Sequence, residues 1–169
     1  MIHSSSIQRK REGFTLIELL VVIAIIGLLS TLAVVSLNSA RARSRDTKRI
    51  ADVKEVQTAL ELFYNDNQGY PLAGSADADG NIPPLSTSGD PAFSTFMKNS
   101  PVAPKPADGT ACASDNKYVY KGLKSDGSTA CDAVGNCATY SVDFCVGNKT
   151  GTIASGKNIA KPTGIEAAP

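Results

Sequence analysis

Tryptophan is absent from this chain of 169 residues, and histidine occurs once, at His3. A hydrolase built on a histidine base is therefore hard to assemble from it. Charge of one sign is not in excess either, with 17 Lys+Arg against 16 Asp+Glu, so bulk electrostatics names no polyanionic partner. A phosphate-binding glycine loop is missing: Ser155-Gly156-Lys157-Asn158 lacks the upstream glycine and the Ser/Thr after lysine. Proline is missing from the first 70 residues, although the chain holds nine. The longest apolar run lies before residue 38, where there is no proline at all. Two physical objects share the sequence, and average composition describes neither.

The first object begins with a short leader, Met1 to Gly13, carrying Arg9, Lys10, Arg11 and Glu12. Phe14 to Leu37 follows, 24 residues with a single charge. As a helix this run is about 36 Å long, enough to cross a hydrocarbon core of roughly 30 Å. A cleavable secretory signal has an apolar core of about 7–15 residues and ends at a small-x-small site. This run is too long for that, and Asn38-Ser39-Ala40 fits such a site poorly. A membrane-spanning helix is the expectation.

Glu18 does not belong in such a helix. A carboxylate at membrane depth costs at least ~2.5–3.5 kcal/mol on insertion scales and points to a function. In an intact chain it can snorkel to the interface. If the chain is cut after Gly13, Phe14 gains an α-amine one helical turn from Glu18, and the two opposite charges can neutralise each other within one chain or between neighbours. Pairing between chains would set axial register, as a single buried polar group does in coiled coils. Cutting there also removes His3.

Lys10-Arg11-Glu12-Gly13-Phe14-Thr15-Leu16-Ile17-Glu18 resembles the processing signature of the type IV pilins and the pseudopilins of type II secretion. The resemblance implies cleavage by a prepilin peptidase after Gly13, methylation of Phe14 as the new N-terminus, and a role for Glu18 in docking into a helical filament. It further implies no enzymatic activity, and self-association with an inner-membrane assembly platform and its ATPase as further partners. Many members carry a helix-breaking proline where this chain has Val35; Gly27 is the remaining place where the helix could loosen. The rhythm from Lys48 to Tyr70-Pro71, with Ser100-Pro101-Val102-Ala103-Pro104 and Tyr118-Val119-Tyr120 later, is similar in looser outline to the major pseudopilin branch. Pilus and secretion pseudopilus both remain open on this reading.

Orientation is contested by the charges. Three Lys/Arg precede the span and five follow it: Arg41, Arg43, Arg45, Lys48 and Arg49. The positive-inside rule alone would keep the C-terminal part in the cytoplasm. Four cysteines in a small, loop-rich segment argue for an oxidising compartment, and the resemblance puts the leader in the cytoplasm, where its peptidase works. The basic collar is then expected against anionic headgroups, at about 1 kcal/mol per charge. One short basic run does not make nucleic acid an expected partner.

The helix is expected to continue past the membrane. Residues 38–67 contain no proline or glycine, and Val53, Val56, Leu60 and Phe63 follow a 3-4-3 spacing that places them on one face. Gly69 followed by Pro71 is a stop signal. One helix from Phe14 to Asp66, about 80 Å long, is predicted. Beyond it, Pro83-Pro84, Pro91, Pro101, Pro104 and Pro106 break the chain into loops, with one helical turn predicted at Phe93 to Lys98. Alternation predicts strands at Lys117–Lys121 and Thr139–Val146, the latter with Tyr140, Val142, Phe144 and Val146 on one face. After Gly147 an edge strand and then a frayed, flexible tail are expected.

Cys112, Cys131, Cys137 and Cys145 allow three pairings. Their separations of 19, 6 and 8 contain no Cys-x-x-Cys pair, which argues against zinc. On one straight strand Cys137 and Cys145 would lie roughly 26 Å apart. Cys131–Cys137 with Cys112–Cys145 is the preferred connectivity, and all four cysteines read as structural. Asp77-Ala78-Asp79-Gly80-Asn81 resembles the start of a calcium loop, yet its twelfth position is Ser88 where a bidentate Glu is needed. Asp77, Asp79 and Asn81 are thus weak calcium candidates in what reads as a polar turn, and no cofactor is expected. The secretion branch binds calcium in a C-terminal loop, but its ligands do not map onto this sequence. Asn148-Lys149-Thr150 matches a glycosylation sequon, a pattern frequent by chance.

The reading is an α+β chain of the pilin fold: a long N-terminal helix, transmembrane in its first half, with a small antiparallel sheet packed on its second half. Its parts are a cytoplasmic leader at 1–13, a transmembrane and filament-core helix at 14–37, an amphipathic continuation at 38–67, and a loop-rich, disulfide-bonded β domain at 68–169. Such a subunit waits as a single-pass protein of the inner or cytoplasmic membrane and ends in a periplasmic or extracellular filament. The rival classes are a membrane-anchored surface binding domain that never polymerises and an anchored exoenzyme. An uncut N-terminus would favour the first, and a pocket of converging polar groups the second.

Overall fold

The computed structural model describes residues 13–73 and 93–169. The leader residues 1–12 and the calcium candidates Asp77, Asp79 and Asn81 lie outside the described residues. The chain divides into two compact units, Met1–Ser39 and Ala40–Pro169.

One helix, α1, covers Leu16–Asn67. It starts two residues after Phe14 and ends one after Asp66, close to the predicted bounds. In the first unit its large apolar side chains are exposed, from 76% at Leu16 to 50% at Val22 and Leu37. By length and composition this helix is able to cross a membrane. An apolar surface so exposed needs lipid or other helices around it. A Cβ added at Gly27 would meet nothing within 4 Å, and the helix runs unbroken through this position and Val35.

In the second unit four strands form a meander: β1 (Val119–Leu123), β2 (Thr139–Val146), β3 (Gly156–Lys161) and β4 (Gly164–Ala167). They lie in the order β1-β2-β3-β4, and each neighbouring pair is antiparallel. Tyr120 faces Val142, Val142 faces Ala160, and Ala160 faces Ile165, so one row of side chains crosses the whole sheet. The inward face of β2 is the expected one: Tyr140, Val142, Phe144 and Val146 are at most 2% exposed. They meet the helical stripe of Val53, Val56, Leu60 and Phe63, each 0% exposed, in one core. At about 1.5–3 kcal/mol for each large side chain buried, this joint cluster is what holds sheet to helix. The helical turn predicted from Phe93 is a single 3-10 turn, Phe93–Thr95, whose Phe93 packs against Phe63 at 5.9 Å between ring centroids.

The C-terminal segment differs from expectation. Instead of an edge strand followed by a frayed tail, it forms the β3–β4 hairpin, and Ala168 still donates its N–H to the Lys157 carbonyl at 3.0 Å. Buried Asn158, polar but 1% exposed, stabilises the entry to β3 by donating to the carbonyls of Ala154 and Gly156.

The end of α1 also differs in detail. The left-handed residue that stops the helix is Gln68, at φ 55°, rather than Gly69. Gly69 is needed for space: a Cβ there would lie 2.1 Å from the Val134 carbonyl oxygen. Residue 134 belongs to the short loop closed by the Cys131–Cys137 disulfide, and Tyr70 N–H donates to the Cys137 carbonyl at 2.9 Å. Cys112–Cys145 forms the second bridge and ties the stretch before β1 to the end of β2. This is the connectivity that the spacing favours.

Candidate processing and assembly site

The helix N-terminus is built from four residues of the signature. Gly13 and Phe14 precede α1 without regular structure, both exposed, with Phe14 94% exposed. The break expected from the sequence, between Gly13 and Phe14, falls in this accessible stretch. Thr15 is the N-cap of α1 and Glu18 its third helical residue. Thr15 N–H donates to Glu18 Oε2 at 2.8 Å, and Glu18 N–H donates back to Thr15 Oγ1 at 3.3 Å. The Thr15 hydroxyl itself donates to Glu18 Oε2 at 2.8 Å. This is a reciprocal capping box, Thr-x-x-Glu, which satisfies two backbone donors that the first helical turn leaves open.

Glu18 therefore has a second occupation besides the one read from sequence. In the uncut chain its carboxylate closes the start of its own helix, at the positive end of the helix dipole. Thr15 is the residue that sequence reasoning passed over. Its signal was available, since Ser/Thr followed three residues later by Glu, just ahead of an apolar run, is the capping-box pattern.

A second cluster lies in the other unit, where the basic collar was expected to face headgroups. Arg41, Arg43 and Lys48 are exposed, whereas Arg45 and Arg49 are turned into the fold and not free for headgroups. Arg49 is 1% exposed. Its guanidinium donates to Asp46 Oδ1 at 2.7 Å, to Asp108 Oδ2 at 2.9 Å, to the carbonyls of Pro104 and Pro106, and to Asn116 Oδ1. Arg45 grips the same Asp108 with both prongs, Nε to Oδ2 at 2.8 Å and one terminal nitrogen to Oδ1 at 2.5 Å. Asp46, 0% exposed, accepts the backbone N–H groups of Gly147 and Asn148 and the Asn148 side-chain amide. Two arginines and two aspartates thus cancel in charge while joining α1 to the 104–108 loop and to the turn after β2. The Arg45 fork, seconded by Arg49, holds the Asp108 carboxyl below the usual carboxylate range. Gly147 permits the approach, because a Cβ there would sit 2.4 Å from Asp108 Cβ. The sequon residue Asn148 is engaged in this cluster through its side chain.

One turn further along α1, Asp52 accepts the Tyr118 hydroxyl at 2.8 Å, and burial together with this carboxylate pushes the Tyr118 phenol well above its ordinary value. On the outer face of the sheet a shallow cavity of about 300 Å³ has Lys121, Asp143 and Lys157 in its wall. Two ion pairs are already made there, Lys121 with Asp143 at 2.7 Å and Lys157 with Asp115 at 3.0 Å. Among the described residues no three His, Cys, Asp or Glu gather as a metal site.

Residues 8–34 match the family model described as the prokaryotic N-terminal methylation motif. The chain is 36% identical over 64 residues to a type II secretion system core protein G of Aeromonas hydrophila, covering 38% of this chain and 45% of that one. It is 39% identical over 62 residues to the core protein G of Escherichia coli K12, covering 37% and 43%. Against the type IV major pilin protein PilA of Myxococcus xanthus it is 30% identical over 115 residues, covering 66% of this chain and 52% of that pilin. The chain thus spans about half the length of the curated relatives it matches. No solved structure matches it significantly. The methylation motif heading an exposed apolar helix, the four-stranded sheet on the second half of that helix and the likeness to these relatives together support the family of type IV pilins and type II secretion pseudopilins.

Proposed function

We propose that the chain is a structural subunit of a helical filament of the type IV pilus or secretion pseudopilus kind. The observation that carries this reading is the signature Gly13-Phe14-Thr15-Leu16-Ile17-Glu18 placed at the start of an apolar helix whose side chains stand exposed. A stripe satisfied by lipid is equally satisfied by copies of itself, so the helix passes from membrane to bundle without a catalytic step. In this account a prepilin peptidase cuts between Gly13 and Phe14 and methylates Phe14. Glu18 and the new amine then penalise misaligned neighbours, because a displaced neighbour leaves a buried charge unpaired.

The leader lies in the cytoplasm before assembly, and the disulfide-bonded domain lies outside it. An inner-membrane platform and its ATPase drive the transfer, and lipid surrounds the helix beforehand. The role needs no cofactor. Cells lacking the prepilin peptidase are expected to hold the uncut chain in the membrane and to yield no filaments containing it, read by immunogold electron microscopy of sheared material. Filaments that persist in those cells would overturn the reading. In wild-type cells, long retractable surface fibres identify a pilus, and short periplasmic filaments that depend on a secretion ATPase identify a pseudopilus.

A further inference from the structure

We infer that the outward face of residues 40–66 is a contact surface for a second copy of this chain, set by pairing of basic with acidic residues along the helix. The inference rests on the filament reading and deepens it by naming a surface and the direction of its offset. One side of this stretch is taken by the core. Along its exposed flank, Arg41, Lys48 and Glu55 follow at steps of seven residues, so they form one row along the helix. Leu62 continues the row at the next step of seven and is 53% exposed. Asp66 closes it one turn later.

All four charges of the row are exposed. Among the described residues none of them forms an ion pair, whereas Arg45 and Arg49, on the neighbouring face, are both bound to Asp108. The row is basic at its start and acidic at its end. Beside it runs a line of small residues, Ser44, Ala51 and Thr58, also exposed and also spaced by seven. The Thr58 hydroxyl is already used on the Lys54 carbonyl at 3.0 Å, so this line presents little that water must satisfy. Small residues let a second helix approach closely.

Charge complementarity selects a second copy as the occupant and dictates its placement. Copies whose apolar halves share one membrane or one bundle run parallel, which excludes the antiparallel match. Aligned without offset, Arg41 would face Arg41 and Glu55 would face Glu55, a repulsive arrangement. An offset of 14 or 18 residues sets Arg41 against Glu55, or Lys48 against Asp66, and brings no like charges of the row together. These offsets correspond to about 21 and 27 Å along the helix. A headgroup layer would account for Arg41 and Lys48 and leaves the acidic half of the same row without a role.

The test is charge reversal and rescue in the full chain, expressed in cells from which filaments are sheared and weighed. Arg41→Glu with Lys48→Glu is expected to lower filament yield about tenfold or more while the cut subunit stays at its normal level in the membrane. Adding Glu55→Lys and Asp66→Lys to that variant restores yield to within about twofold, since every pairing is then reversed on both sides. Unchanged yield in the first variant, or no recovery in the fourfold one, overturns the surface while leaving the filament reading intact. Loss of the subunit from the membrane in the first variant assigns Arg41 and Lys48 to headgroups and also overturns it. A wild-type chain that yields no filament brings down both.

Discussion

Glu18→Ala is expected to leave membrane insertion and cleavage unchanged and to reduce filament yield by about tenfold or more, the scale of one uncompensated charge in an apolar bundle. The structure adds a complication that the variant alone does not resolve. Glu18 is also half of the capping box at the start of α1, where it accepts the Thr15 N–H and the Thr15 hydroxyl. Loss of a cap costs about 1 kcal/mol of helix stability, which on its own would mildly fray the first turn. Glu18→Gln separates the two roles. A glutamine oxygen still closes the capping box, but it carries no charge to pair with an α-amine. The register account expects Glu18→Gln to fail in assembly nearly as badly as Glu18→Ala. Filaments at normal yield from Glu18→Gln would reduce Glu18 to a cap. Thr15→Val is the complementary control: it removes the hydroxyl, keeps the carboxylate and leaves assembly largely intact.

Arg49→Leu is expected to destabilise the domain by about 3–5 kcal/mol, because it strands the buried carboxylates of Asp46 and Asp108 beside it. Thermal unfolding of the full-length chain in detergent should show a loss of roughly 10 °C or more. Arg41→Leu, at an exposed position with no ion-pair partner among the described residues, should stay within about 0.5 kcal/mol of wild type. The contrast between the two arginines is the point of the experiment, since composition treats them alike. A loss below about 1 kcal/mol for Arg49→Leu would mean that water or Arg45 satisfies those aspartates adequately. The cluster also gives the domain an acid limit. Asp108 titrates below its unfolded value, so its contribution is complete above that value and is lost as the pH falls through the folded one.

Much of the architecture was legible because it rests on periodicity. The absence of proline and glycine between Asn38 and Asn67 announced one long helix, and the 3-4-3 spacing of Val53, Val56, Leu60 and Phe63 named its buried face before any sheet was known. The alternation of Tyr140, Val142, Phe144 and Val146 named the surface opposite. The β3–β4 hairpin was legible only in part. Gly156 to Ala167 is rich in Gly, Lys and Ala, its strands are short, and its pairing is carried by backbone hydrogen bonds that leave little mark on side-chain pattern. The polar cluster was illegible for a different reason. Arg45 and Arg49 meet Asp108 across 59 to 63 residues of chain, and a charge on a helix reads as solvated until its partner in a distant loop is placed. Five basic residues therefore looked like one collar, when two of them belong to the fold. Thr15–Glu18 was the opposite case. Its pattern was in plain view, yet Glu18 drew attention as an anomaly in lipid rather than as the third residue of a cap.

The central claim is that this chain is processed at its signature before it is used. The measurement that tests it most directly is mass spectrometry of the N-terminal peptide of the protein taken from native cells. The account predicts a chain beginning at Phe14 with an N-methylated amine. A chain beginning at Met1, or one cut near Ala40, would contradict it and leave Glu18 as a helix cap without a role in assembly.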